Sequence, residues 1–313
     1  MSSKSKTKEK AHEKDAIEAE LKKNATHSVI TQADGINLEE TAGAGSENIT
    51  SANLAVPIIR ILQANSPQCK PMDPKYIKGA VEGSFFNNVT NEVYSGEEGI
   101  IVLPVFFEKV FIEWRPNRGG FVAIHGEDTP LRTQVKMLKE NPNDPSSRER
   151  PTLPSGNILA ETDQHYVLML VGGGFEPAVI SMSSTALRSS RQWNTLVNRV
   201  LEKDKKGQFY NPARWFVRYK LVTKGRQKDQ NTWATWDIIA QGKLKVTPTS
   251  WDAIQGKFIE QTVDPQDVSL FRAAQALHAA VKGGKVAAKI EEDDETPGGI
   301  PASAGLDAEV DLG

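Results

Sequence analysis

The stretch from residue 99 to residue 125 constrains the fold most, because its composition is that of long β-strands. It reads GIIVLPVFFEKVFIEWRPNRGGFVAIH and is rich in β-branched and aromatic residues, which pack well on a pleated surface. Pro104 has no amide hydrogen to donate to a neighbouring strand, so we expect an edge position or a bulge there. The chain is therefore predicted to fold around long strands.

Other segments predict shorter strands and two helices. Residues 83–96, GSFFNNVTNEVYSG, place turn-forming residues between aromatic ones, as in a hairpin. Residues 165–182 predict two strands around a glycine turn. Residues 183–203 have serine caps and apolar residues at near-helical spacing, and residues 264–284 open with Asp-Pro and close with glycine, as helices do. The predicted fold class is α+β.

Both ends of the chain are predicted to be disordered arms. Residues 1–49 contain no aromatic residue and alternate lysines with carboxylates, so they bury too little apolar area to offset the entropy of ordering. Residues 289–313 form an acidic C-terminal tail. We expect a single α+β domain, residues 50–288, between these two arms.

The formal net charge of −2 hides a strong separation of charge along the chain. Residues 183–245 contain fourteen lysines or arginines and four acids, whereas residues 291–313 contain eight acids and no base. A basic cluster supplies the counterion release that dominates nucleic-acid affinity, but many basic runs are simply solvated faces. Charge alone therefore leaves both interpretations open.

Residues 212–239, PARWFVRYKLVTKGRQKDQNTWATWDII, add aromatic rings to this positive charge and predict a strand pair. Side chains alternate between the faces of a strand, so one face of the first strand would carry Trp215, Val217, Tyr219 and Leu221 into the core. The other face and the connecting loop supply the DNA-binding residues predicted here, namely Arg214, Phe216, Arg218, Lys220, Lys224, Arg226, Lys228 and Trp233.

A ring flanked by cations has the chemistry needed to stack on a base beside a neutralised phosphate. In the second strand, alternation places Trp233 and Trp236 on opposite faces, and we predict that Trp233 is the accessible one. The alternative is that these rings close the end of the core, which is the commoner place for a large ring.

Two further segments combine rings with arginines, and they supply the remaining predicted binding residues, Trp114, Arg115, Arg118, Arg188, Arg191 and Trp193. The first segment ends in a diglycine that would let a DNA backbone approach closely, although an ordinary hairpin tip has the same composition. The second lies on the helix predicted at 183–203, where two arginines three positions apart share a face. Those arginines could equally be surface charges that keep the protein soluble.

The acidic tail suggests regulation of a basic surface. Its eight carboxylates would occupy that surface in the absence of DNA, and a polyphosphate would displace them. The tip, DAEVDLG, places Val310 and Leu312 among acids, as a docking motif for another protein would. A tail that only raises solubility is the alternative.

Motifs for catalysis are missing from the sequence. The five histidines are scattered, no GxSxG elbow occurs, and the glycines at 171–175 are not followed by the Lys-Ser/Thr of a phosphate-binding loop. Cys69 is the only cysteine, which excludes an internal disulfide and a multi-cysteine metal site. We predict no enzyme, no cofactor and no metal, although a nuclease could assemble its acids from distant positions.

Membrane and export signals are missing too. The chain has no apolar run near the roughly 18 residues of a membrane span, and its polar N-terminus lacks the core of a signal peptide. The protein is therefore predicted to be soluble and cytoplasmic, in a bacterial host if a phage encodes it. The sequence leaves homo-oligomerisation open.

Several blocks are similar to a family of tailed-phage proteins identified as single-stranded DNA-binding proteins of the replication or recombination module. The blocks are VPIIRILQANSPQ, the long strand stretch, SSTALRSSRQWNTL and NTWATWDI, within residues 54–272. The resemblance implies a mainly antiparallel, OB-like barrel or strongly curved sheet with two flanking helices and a DNA groove. It also implies that the acidic tail recruits replication or recombination proteins, although the tip DLG lacks the terminal aromatic residue of the best-known tails.

The leading hypothesis is thus a non-catalytic single-stranded DNA-binding protein of phage replication or recombination. Basic residues would follow the phosphates while Phe216, Trp233 and Trp114 stack on bases. The main alternative is a phage structural or assembly protein that uses the same rings in protein–protein contacts. A duplex-binding or annealing protein is the third possibility.

Overall fold

The computed structural model describes residues 56–116, 120–139, 149–204, 206–228, 231–288 and 290. These residues form fifteen strands and two α-helices. The strands are β1 (Ile58–Ile61), β2 (Phe85–Asn87), β3 (Val93–Tyr94), β4 (Ile100–Trp114), β5 (Phe121–Gly126), β6 (Lys136–Lys139), β7 (Glu149–Thr152), β8 (Ile158–Val171), β9 (Gly174–Ser183), β10 (Glu202–Lys203), β11 (Phe209–Tyr210), β12 (Val217–Lys228), β13 (Asn231–Lys243), β14 (Thr249–Asp252) and β15 (Lys257–Glu260). The helices are α1 (Leu187–Asn198) and α2 (Pro265–Lys282).

Eleven strands share one sheet, in which the main order is β13-β12-β4-β8-β9-β1-β2-β3. β5 pairs with β4, and β7 joins β8 to β6. Neighbouring strands run antiparallel except β1 and β9, which are parallel. The predicted α+β class with mainly antiparallel strands is confirmed, and the expected irregularity at Pro104 appears as a register shift between Pro104 and Phe106.

The sheet curls into a half-barrel, so its first strands return towards β13. The side-chain amide of Gln63 donates to the carbonyl of Ala234 at 2.9 Å and accepts from its amide at 3.0 Å, as a neighbouring strand would. Phe85 of β2 stacks on Trp236 of β13 with 4.9 Å between ring centroids. The enclosed core contains aliphatic and aromatic side chains from β1, β2, β4, β8, β9, β12, β13 and α1.

The two predicted helices are present, and their ends follow the expected chemistry. The side chain of Asp264 accepts a hydrogen bond from the amide of Gln266, Pro265 occupies the first turn, and Gly283 ends α2. α2 packs on the outside of the sheet, where Leu270 and Ala274 meet residues of β4 and β8. α1 packs against the core through the buried Trp193.

One predicted element is shifted. The strand expected from residue 214 begins at Val217, because Arg214–Phe216 form a 3-10 turn. The strand pair itself is confirmed as the β12–β13 hairpin. The predicted arms, residues 1–49 and 289–313, lie outside the described residues except for Ile290.

Within the described part of the chain, no helix is long and apolar enough to cross a membrane.

Candidate nucleic-acid interface

The four rings predicted to contact DNA are all buried, namely Trp114, Trp193, Phe216 and Trp233. The 3-10 turn removes Phe216 from the expected alternation, and its ring joins the core. Trp233 is only 9% exposed, so the prediction that it is accessible is wrong. Thr235, on the same face of β13 as Trp233, is buried as well, which shows that both faces of the strand are covered at this end.

The rings outside the hairpin have core partners. Trp193 stacks on His165 with 4.5 Å between centroids and meets Tyr219 edge-on at 6.0 Å. Trp114 meets Phe121 edge-on at 6.1 Å. Neither ring offers a free face to a base, because both side chains are enclosed by the protein.

Three of the predicted cations have internal partners. Arg214 donates from Nη2 to Asn194 Oδ1 at 2.8 Å and to His165 Nδ1 at 2.9 Å. Arg218 forms an ion pair with the buried Asp267 at the start of α2. Lys224 pairs with Asp237 across the β12–β13 hairpin.

Arg214 belongs to a buried polar chain that sequence reasoning missed. Since its guanidinium donates to His165 Nδ1, the imidazole must donate from Nε2 to Ser190 Oγ at 2.8 Å. Ser190 Oγ then donates to Asp163 Oδ2 at 2.5 Å. These hydrogen bonds connect α1 and the 3-10 turn to β8. The polar chain is sealed from solvent at His165 and Ser190, so we assign it a structural role.

Burial shifts the pKa values of the side chains in this hydrogen-bond network. Burial, followed by the charge of Arg214, holds the pKa of His165 well below its usual value. Burial also lowers the pKa of Arg214 to about 10, which leaves it charged at neutral pH. Burial raises the pKa of Asp163 above its usual value. The neutral imidazole thus links a cation to a carboxyl group inside the protein.

The remaining predicted arginines fall into two separate places. Arg188 and Arg191 are exposed on α1, and the neighbouring Ser189 donates from Oγ to the carbonyl of Trp236 at 2.9 Å, which puts this basic face beside β13. Arg115 follows the far end of β4, fourteen positions beyond Ile101, which pairs with β12. Fourteen residues of a β-strand extend over about 45 Å, so Arg115 lies far from the hairpin.

The hairpin carries the other predicted lysines and arginine. Arg226 is exposed on β12, and Lys220 is half-buried nearer its base. The side chain of Lys228 and all of Arg118 lie outside the described residues. The structure therefore groups Arg188, Arg191 and Arg226 around β13.

A segment that sequence reasoning missed adds three lysines to this side, together with two acids, Asp73 and Glu82, and we call it the basic loop, residues 64–82. Its two ends are fixed to the hairpin, by Gln63 on Ala234 and by the hydroxyl of Thr223, which donates to the carbonyl of Gly83 at 2.9 Å. The loop exposes three lysines and three large apolar side chains, namely Lys70, Met72, Lys75, Tyr76, Lys78 and Val81. The spacing of lysines around Tyr76 in KPMDPKYIKG was the available clue.

Among the described residues, no three His, Cys, Asp or Glu side chains lie close enough together to hold a metal ion.

Comparison with known proteins identifies a family. The family model described as Pam3 phage gp34-like protein matches residues 22–287. No curated protein and no solved structure matches the chain. The match spans more than half of the chain and includes the basic loop, α1 and the β12–β13 hairpin. The chain therefore belongs to the Pam3 phage gp34-like protein family.

Proposed function

We propose that this protein is a non-catalytic single-stranded DNA-binding protein, with the DNA backbone lying against the β12–β13 hairpin and its neighbours. The observation that supports this most is the fixing of the basic loop to the hairpin, across 171 positions of sequence between Gln63 and Ala234. This contact brings three loop lysines to the hairpin, which carries the exposed Arg226 and packs against α1 with its exposed Arg188 and Arg191.

Positive charges gathered in this way release counterions from a phosphate backbone, which is the main source of sequence-independent affinity. Tyr76 is 39% exposed between Lys75 and Lys78, so the loop also offers a ring for an unpaired base. Such contacts favour a single strand over a duplex and give little sequence preference, because every base has a π-face.

The wider role that we propose is phage DNA replication or recombination. An OB-like barrel would supply a groove for the strand, and the curled, mainly antiparallel sheet is compatible with one. The acidic tail would compete with DNA for the basic loop or recruit replication and recombination proteins. Ala288 bridges to Val56 just before the tail begins, so the tail would start from a fixed point on the domain.

A second candidate is a phage assembly protein, which one observation favours. At the opposite end of β4 from the hairpin, β5 and β6 expose Val122, Ile124, Met137 and Leu138. Neighbouring exposed apolar side chains mark protein–protein contacts in many soluble proteins.

Equilibrium titration separates the two candidates. The full-length protein is added to fluorescein-labelled oligo-dT of about 20 nucleotides, and anisotropy is followed from about 50 to 200 mM salt. We expect tight binding that weakens steeply with salt. Absence of binding at the lowest salt would contradict DNA binding and leave the assembly protein as the better candidate.

A further inference from the structure

Two small hairpins outside the main sheet, β10–β11 and β14–β15, form a joint platform. The buried carboxylate of Glu202 locks them together, because it accepts hydrogen bonds from Ser250 Oγ at 3.2 Å and from the amide of Trp251 at 3.0 Å. Lys243, at the end of β13, forms an ion pair with Glu202 and donates to the carbonyl of Trp251 at 2.6 Å. These bonds fix the platform to the base of the β12–β13 hairpin.

The platform carries an aromatic cluster, Phe209, Trp251 and Phe258, that the sequence hypotheses did not use. Trp251 faces Phe258 across β14–β15, with 5.4 Å between centroids, and lies 5.8 Å from Phe209. The rings meet edge-on, at 81° and 75°. Lys203 of β10 holds its Nζ 3.8 Å from the Trp251 centroid and 4.6 Å from that of Phe209.

The cluster is too exposed to be a core. Phe209 is 56% exposed and Phe258 47%, while Trp251 between them is buried. Apolar area left in water adds nothing to folding stability, so two half-exposed phenylalanines held in fixed positions indicate a surface that another molecule covers.

The charges around the rings indicate the class of that molecule. Lys203 lies over the rings, and Lys206 and Lys257 are exposed at the two turns. Acids lie on the platform as well: Asp204 accepts from two amides at 2.8 Å, Asp252 accepts from two amides at 2.8 and 3.0 Å, and Glu260 is exposed on β15. The charge that lies over the rings themselves is that of Lys203. Flat rings beside lysines suit a ligand that is both aromatic and anionic, which is the chemistry of a nucleotide.

The aromatic cluster and the basic loop are both held by β13, at different points along the strand. Lys243 joins the platform to one end of β13, and Ala234, which holds the loop, lies nine positions away on the same strand. Nine residues of strand span about 30 Å. A DNA strand reaching both places would need about nine nucleotides if its bases keep the 3.4 Å rise that they have in a duplex, and fewer if the unpaired strand is extended.

We propose that the aromatic cluster stacks unpaired bases of the same DNA strand whose phosphates contact the basic loop. This inference rests on the proposed single-stranded DNA binding and adds a second contact, with a minimum strand length, to it. The rings carry no charge, so they add affinity without adding to the salt dependence, whereas the loop lysines contribute to both.

The test uses the full-length protein with Phe209→Ala and Phe258→Ala combined, and fluorescein-labelled oligo-dT of about 4 and about 20 nucleotides. Each lost stack should weaken binding of the longer strand by between about 5-fold and about 150-fold, with the salt slope unchanged. The shorter strand cannot span both contacts, so its Kd should change less. The paired change to tyrosine, F209Y with F258Y, should restore affinity because it restores the rings, and a urea midpoint close to wild type for the alanine variant excludes misfolding of the platform as the cause.

The matched control is Phe175→Ala, which removes an exposed phenylalanine from β9. If the double variant binds oligo-dT as tightly as this control does, the cluster is not a stacking site, although the proposed function stands. If the wild-type protein binds no oligo-dT at about 50 mM salt, both proposals fail together. A double variant that keeps DNA binding but loses a protein partner would show that the cluster is a protein contact instead.

Discussion

Removing the lysines of the basic loop should reduce the salt dependence of oligo-dT binding, and these lysines can be replaced without disturbing the core. Lys70, Lys75 and Lys78 are all exposed. Changing the three to alanine should alter the free energy of unfolding by no more than about 0.5 kcal/mol per site, as surface substitutions usually do. The contacts that hold the loop, at Gln63 and Gly83, are left in place.

The size of the effect follows from counterion release. For single strands, each neutralised phosphate contributes about 0.7 to the slope of log K against log salt, so three lost contacts should lower the slope by about 2. Between about 50 and 200 mM salt, the wild-type protein should therefore lose roughly 20-fold more affinity than the triple variant does.

The assay is the anisotropy titration with labelled oligo-dT, repeated at each salt concentration. The matched control removes three exposed lysines elsewhere, Lys136, Lys282 and Lys285. We expect the control to keep the wild-type slope. Equal slopes for the loop variant and the control would show that the basic loop does not contact phosphates, and would refute the reasoning.

Three further predictions follow from the sequence and the buried side chains. Deleting residues 291–313 should tighten oligo-dT binding at low salt by removing a competing polyanion, and equal affinity with and without the tail would exclude that competition. Phe216→Ala or Trp233→Ala should lower the free energy of unfolding by about 3–5 kcal/mol, because both rings are buried, and a urea midpoint close to wild type would contradict their burial. His165 is neutral in the folded state and binds a proton more readily when unfolded, so its contribution to stability is present above about pH 6.5 and is lost as the pH falls below that value. Urea unfolding at about pH 7 and pH 5 should show this loss, and His165→Gln should reduce it; an identical pH dependence in the two proteins would argue against a buried neutral imidazole.

Features set by local chemistry could be predicted from the sequence. The composition of residues 99–125 indicated a long strand, and β4 covers Ile100–Trp114 of it. The Asp-Pro start and glycine end of α2 were found because capping depends on adjacent residues. Residues 212–239 indicated the strand pair, and alternation correctly placed Val217, Tyr219 and Leu221 in the core.

Features set by distant contacts could not be predicted. Alternation shows that Trp233 and Trp236 face opposite ways, but it cannot show that both faces of β13 are covered. Arg214 and Arg218 were predicted to be surface cations, because their partners Asn194 and Asp267 lie on other elements and could not be identified from the sequence. The basic loop and the aromatic cluster likewise depend on contacts between segments that are far apart in sequence.

Ultraviolet cross-linking of oligo-dT to the full-length protein, followed by mapping of the cross-linked peptides, tests DNA binding and its location together. We predict cross-links in residues 64–82 and in the peptides that carry Phe209 and Phe258. Cross-links confined to β5 and β6 would contradict the proposed binding surface, and a complete absence of cross-links would contradict DNA binding itself.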